Sequence, residues 1–140
     1  MTATGREREQ ARPRLTAEEK LEIAQNAVLD LRAVDPVVLE MSELTVITDY
    51  FLICHGTSNV HIRAIADRLL ERMEKQRLRP PTEGYREAQW ILLDYGDVVV
   101  HIFAEEQREF YSLERLWSDA PRRNLSPPET ASDERDAAQP

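Results

Sequence analysis

The side chains able to do more than pack are three histidines, one cysteine and a few aspartates set among apolar runs. His55 and His61 lie six positions apart around a Gly-Thr-Ser segment, and His101 lies far downstream. A helical zinc-protease motif needs two histidines four apart on one face. That spacing is missing, so the histidines read as surface or hydrogen-bonded groups and no metal site is expected. Cys54 closes an apolar run with no nucleophile pattern beside it, and reads as a small buried hydrophobe. As the single cysteine of the chain it permits no internal disulfide and no cysteine-based zinc site.

Neither of the glycine-rich phosphate motifs, Gly-x-x-x-x-Gly-Lys-Ser/Thr and Gly-x-Gly-x-x-Gly, is present. What remains is Gly56-Thr57-Ser58 between a strand and a helix whose free N–H groups could hold an anion. With Asp49 and Asp94 on strands, this is similar to the Gly-Ser turn and metal-binding acids of nucleotidyltransferases. Holding a pair of divalent ions usually takes two carboxylates projecting together, commonly two residues apart on one strand. Phe51 and Gly96 occupy those positions. The expectation is therefore no catalytic residue and no cofactor. A nucleotidyltransferase-like enzyme, acting on a nucleotide with a divalent metal, stands as the alternative.

These residues need elements to hold them. Thr16-Ala-Glu-Glu19 has the form of a capping box, and Leu21, Ala24, Val28 and Leu31 behind it recur at helical spacing. Asp35-Pro36 is expected to end that helix, since the residue before proline is pushed out of the helical region. Val37–Met41 reads as a short strand, and Val46–Cys54 as a central strand apolar on nearly every position. Ser58 is placed to cap a second helix with Ile62, Ile65, Ala66, Leu69 and Met73 as its buried stripe. Gln89–Tyr95 and Val98–Phe103 flank Gly96-Asp97 as a hairpin. Phe110, Leu113, Leu116 and Trp117 then recur as a last helix. The fold class is α/β: a mixed β-sheet with flanking helices, in the order α-β-β-α-β-β-α.

Residues 1–14 carry four Arg, two Glu and Pro13. Residues 120–140 are rich in Pro, Ser and acidic groups. Both stretches read as disordered tails, leaving 15–119 as the folded domain. Within the hairpin, strand alternation puts Ile91, Leu93, Tyr95, Val98, Val100 and Ile102 on one face. The other carries Trp90, Leu92, Asp94, Val99, His101 and Phe103. The first set is nearly pure core. The second mixes aromatics with ionisable groups and suits either a partner-binding patch or a second buried face.

A length of 140 residues fits about one domain. The formal net charge of -8 disfavours binding to bare nucleic acid, where affinity comes from clustered Lys and Arg. Basic protein surfaces are the better electrostatic match. No apolar run approaches the roughly 18–20 residues needed to cross a bilayer. The start mixes Arg with Glu and is expected to be neither a secretory signal nor a transit peptide, which favours the cytoplasm.

Ile47-Thr-Asp-Tyr-Phe-Leu-Ile-Cys-His-Gly-Thr-Ser58, with Ala64-Ile-Ala-Asp67 after it, resembles the ribosomal silencing factor family, also called Iojap-like. Trp90-Ile-Leu-Leu-Asp-Tyr-Gly-Asp-Val-Val-Val-His-Ile-Phe103 resembles it more strongly, and Phe110-Tyr-Ser-Leu-Glu-Arg-Leu-Trp117 matches its closing helix. The resemblance implies a nucleotidyltransferase-like core without transferase chemistry. It implies a non-enzymatic repressor of translation that acts under nutrient limitation. Its partner is then the large ribosomal subunit, bound through the ribosomal protein numbered fourteen, with joining of the small subunit sterically blocked. The implied docking surface includes Trp90, with Tyr95 and Phe103 as neighbours. Asp94 and His101, from the mixed hairpin face, complete the expected partner-binding set. No sequence-specific nucleic acid and no membrane are expected, and a homodimer is left open.

Overall fold

Thr16 opens the first helix as its spacing predicts. Its hydroxyl accepts from the Glu19 N–H at 3.0 Å, and the Glu19 carboxylate accepts from the Thr16 N–H at 2.9 Å. The computed structural model describes residues 15–125, so the expected tail 1–14 lies outside the described residues. From this cap run α1 (Ala17–Asp30), β1 (Val34–Glu40), β2 (Tyr50–Gly56) and α2 (Asn59–Glu74). They are followed by β3 (Thr82–Glu83), β4 (Trp90–Asp94), β5 (Val98–Ala104), α3 (Glu105–Tyr111), α4 (Leu113–Leu116) and β6 (Arg122–Asn124). The sheet order is β3-β4-β5-β2-β1-β6, with β2 and β5 parallel and every other pair antiparallel. The mixed α/β class is as expected. The element order is richer, by the short β3, the split of the last helix and β6.

Three boundaries differ from the sequence reading. The first helix stops at Asp30, before Asp35-Pro36, and Arg32 turns the chain with φ 59°. Asp35-Pro36 then lies inside β1, where the register shifts between Val34 and Val37 and Asp35 takes φ 47°. A bulge tolerates proline there because the bulged residue needs no ladder N–H. The second strand begins at Tyr50 rather than Val46, leaving Val46 and Ile47 exposed in a loop. Their β-branched side chains favour a strand only where a neighbour is present to pack on, and none is.

The third difference is the boundary at 119. Arg122–Asn124 pairs with Leu39–Val37, Ala120 is buried, and Leu125 packs on the main core. The fold thus runs through residue 125, and the rest of the expected tail, 126–140, lies outside the described residues. Polar composition hid β6, because an edge strand is held by backbone ladder bonds and can expose all its side chains. A chain ending at Asp119 is expected to be roughly 2–3 kcal/mol less stable than one ending at Leu125, from lost ladder bonds and apolar burial. Equal denaturant midpoints for the two would count against this.

The sheet is covered unequally. One face packs on α1 and α2, where Leu21, Val28, Ile62, Ile65, Leu69 and Met73 meet Leu52, Cys54, Ile91, Leu93, Val100 and Ile102. The opposite face has only the short α3 and α4 over a smaller cluster of Val37, Leu39, Met41, Ile53, Phe103 and Ala120. Phe51, Trp90, Leu113 and Trp117 pack on that cluster while remaining partly exposed.

A candidate docking face on the half-covered side of the sheet

The hairpin turn sets which side chains share this face. Asp94 caps the turn by accepting from the Gly96 N–H at 2.8 Å, and Gly96 takes φ 87°, a conformation glycine adopts without strain. The resulting register pairs Trp90 with Phe103, Leu92 with His101 and Asp94 with Val99. Trp90 lies 4.8 Å from Phe103 and 4.8 Å from Tyr111, centroid to centroid. Phe51 meets His101 edge-on at 4.6 Å and Trp117 edge-on at 6.4 Å. Four elements, with Trp117 just beyond α4, thus supply one continuous aromatic layer.

Trp90 is fixed by more than packing. Its indole N–H donates to His101 Nδ1 at 3.1 Å. An indole nitrogen is donor-only, so Nδ1 is the acceptor and the ring proton sits on Nε2. That Nε2 is buried with no partner. Burial pushes the His101 pKa down to about 4. A histidine held neutral in the fold but ordinary in the unfolded chain stabilises the fold fully above its unfolded value near 6.5. That contribution, on the order of 3 kcal/mol, drains away as pH falls from 6.5 towards 4. Acid titration of the melting temperature is expected to show this slope, flattened in His101→Gln; parallel curves would refute it.

The five expected partner-binding residues are not equivalent. Trp90 is half-buried and reaches the surface. His101 and Phe103 share its face but lie beneath it, at 4% and 0% exposure. Asp94 is half-buried at the far end of the strand, engaged with the turn. Tyr95 is on the other side of the sheet, 7% exposed in the core under the helices, with its hydroxyl buried and unpartnered. It does not share a surface with Trp90, because alternation sends it to the helix side.

Sequence reasoning missed Phe51, Phe110 and Tyr111. Phe110, Leu113, Leu116 and Trp117 recur at the spacing of a single helix, yet Phe110 and Leu116 are 79% and 68% exposed. Ser112, with φ 48° and ψ 56°, breaks the helix into α3 and α4 and resets the helical phase. The missed signal is the Phe110-Tyr111 pair itself: two adjacent large residues on a helix diverge by about 100°, so both cannot face one core.

The alternative enzyme site is not assembled. Gly56-Thr57-Ser58 lies at the C-terminal end of β2, whereas Asp49 and Asp94 lie at the opposite end of the sheet. At about 3.3 Å per residue, the seven-residue β2 separates them by roughly 20 Å. The N-terminus of α2 is also occupied by the chain's own groups: Ser58 Oγ accepts from His61 N, and His61 Nδ1 accepts from Thr57 N at 2.9 Å. Gly56 is required by packing, since a Cβ there would meet Ile62 Cγ1 at 2.8 Å. Among the described residues no group of three His, Cys, Asp or Glu could hold a metal ion.

One cleft of about 780 Å³ opens where β2 and β5 send their chains to opposite faces, lined among others by His55, Arg108, Ser112, Glu114 and Arg122. Open α/β sheets often bind ligands at such a point. Of the arginines lining it, the buried one, Arg108, is committed to internal partners.

A mixed sheet backed by helices on one face, with an aromatic face partly open on the other, defines an α/β protein with a candidate docking surface. The chain matches the family described as ribosomal silencing factor during starvation over residues 14–140. It belongs to that family. It is 44% identical over 108 residues to the ribosomal silencing factor of Halalkalibacterium halodurans, spanning 76% of this chain and 92% of that protein. It is 38% identical over 94 residues to the chloroplastic protein Iojap of Zea mays, spanning 67% of this chain and 41% of that protein. A crystallised protein from Chromobacterium violaceum shares the fold with a TM-score of 0.72 at 28% identity, over 74% of this chain and 88% of the other. No helix among the described residues is long and apolar enough to cross a membrane.

Proposed function

We propose that this chain docks on the large ribosomal subunit in the cytoplasm, through the ribosomal protein numbered fourteen, and so keeps the small subunit from joining. The observation that carries the reading is the aromatic layer around Trp90, whose upper members Trp90 and Tyr111 reach the surface on the sheet face the main helices leave uncovered. Aromatic anchors with an apolar floor are the side chains that dominate interface energies. Glu105, Glu106 and Glu109 stand exposed on the helix that carries Phe110 and Tyr111, and such charges favour a basic partner. Blocking needs no chemistry, because a bound body of 16.2 kDa occupies space that the incoming subunit must enter. Repression of translation follows from that occlusion, and its timing under nutrient limitation is taken from the family's description.

Co-sedimentation with isolated large subunits, followed by a subunit-joining assay, tests both halves. Pelleting with the large subunit and a dose-dependent drop in joined particles is the expected result. Binding without loss of joining would remove the steric mechanism. Saturable, metal-dependent nucleotide binding in place of subunit binding would favour the enzyme instead. Raising salt is expected to slow association more than it speeds dissociation, since exposed charges chiefly steer encounter. Association rates that stay flat across ionic strength would overturn the electrostatic part.

A further inference from the structure

The Arg108 guanidinium is 8% exposed, and every one of its donors is used. Nε and Nη2 grip the Glu114 carboxylate at 3.3 and 2.9 Å. Nη2 also donates to the Asp35 carbonyl at 2.8 Å, and Nη1 to the Val34 carbonyl at 3.2 Å. The remaining Nη1 proton points to His55 Nδ1 at 2.9 Å. Arginine has five N–H donors and no acceptor, so these five contacts exhaust it and make His55 Nδ1 an acceptor.

The partners are informative. The carbonyls of Val34 and Asp35 belong to the bulge of β1, where the interrupted ladder leaves part-buried acceptors open to another donor. Glu114 lies beyond the Ser112 break, on α4, while Arg108 itself is on α3. One side chain therefore ties three things together: the bulged strand, the end of β2 through His55, and the angle between the two short helices. Those helices carry Tyr111 against Trp90, and Leu113 with the adjoining Trp117 against the lower cluster. Among the hydrogen bonds of α3 side chains, Arg108 alone reaches other elements.

We propose that Arg108 is a positioning residue for the docking face, a latch on the β1 bulge, His55 and Glu114 that holds α3 so that Tyr111 lies on Trp90. Its effect on affinity rests on the docking reading above; its effect on the position of Tyr111 does not. The latch requires neutral His55, because a protonated Nδ1 would turn a donor towards the guanidinium. Burial first, and then the Arg108 charge, hold the His55 pKa below its usual value, while Glu105, Asp35 and Glu114 pull it up. Glu109, Arg115 and Arg122 line the same cleft. With the folded value lowered, the latch is intact above the ordinary histidine range and opens as pH falls below it.

The test uses the full chain in two measurements: the Tyr111–Trp90 ring contact by NMR in the free protein, and affinity for isolated large ribosomal subunits. Arg108→Lys keeps the charge but loses the five-donor fan. Glu114→Gln, which spares the arginine, serves if Arg108→Lys fails to fold. Either folded variant is expected to lose the ring contact and bind roughly tenfold more weakly. His55→Gln supplies an uncharged acceptor, so it should keep the contact at neutral pH and hold it at acid pH where the parent chain loses it. His101 titrates in both chains, so the difference between them isolates His55. A ring contact that survives in both Arg108→Lys and Glu114→Gln overturns the proposal, as does the same acid loss in His55→Gln. Lost contact with native affinity, while Trp90→Ala still weakens binding, overturns the link to docking alone. Native affinity in Trp90→Ala would instead sink the docking reading and leave the latch to be judged by the ring contact.

Discussion

Trp90→Ala is expected to weaken binding to the large ribosomal subunit by 2–4 kcal/mol, roughly 30- to 1,000-fold, the range for a central aromatic anchor. The fold should survive, because the indole is only half-buried and its loss removes the upper layer of the aromatic stack rather than the floor. Stability should still fall by about 1–3 kcal/mol, since His101 Nδ1 loses its donor and is left buried without one. Trp90→Phe separates the two effects: it restores a ring against Phe103 and Tyr111 but not the hydrogen bond. It should recover most of the affinity and little of the stability. Equilibrium unfolding and subunit binding on the same preparations provide the check. A Trp90→Ala chain that binds normally while being strongly destabilised would make Trp90 a core residue.

Phe103→Ala should behave in the opposite way. Phe103 is 0% exposed and sits under Trp90 beside Val37, Leu39 and Ile53. Removing the ring should cost roughly 3–5 kcal/mol of folding stability through the lost burial and the cavity left behind. That is a large part of the 5–15 kcal/mol typical of a domain. Phe103→Leu keeps most of the volume and should cost about 1–2 kcal/mol, with binding by the folded protein changed only a few-fold. If Phe103→Leu instead lost as much binding as Trp90→Ala at near-native stability, Phe103 would be a direct contact and the sheet would have to open to present it.

The contrast between these two residues shows where sequence reading stops. Alternation along 90–103 placed Trp90, His101 and Phe103 on one face of the hairpin, and the register agrees. Alternation alone could not say that Phe103 is the floor and Trp90 the edge of that face. This depends on β5 being interior, between β4 and β2, whereas β4 has only the two-residue β3 beyond it. Spacing along β2 already parts Asp49 from Gly56-Ser58, whereas only the strand pairing places Asp94 at the Asp49 end of the sheet.

Local chemistry was legible from the sequence: the capping box at Thr16, the Ser58 cap, the Gly96 turn and the apolar stripe of α2 all depend on residues a few positions apart. The mixed α/β class followed from the order of those local signals. What only the tertiary structure decided were the relations between residues far apart in the chain. Polar Arg122–Asn124 becomes a strand because the β1 edge is free to pair with it. Val46 and Ile47 stay in a loop because no neighbouring strand extends that far. Tyr111 joins Trp90 because Ser112 breaks the helix and Arg108 is gripped by carbonyls that the β1 bulge exposes. Capping and turn energies are set by neighbours in sequence, whereas burial and ladder pairing are set by neighbours in space, and these exist only once the sheet has formed.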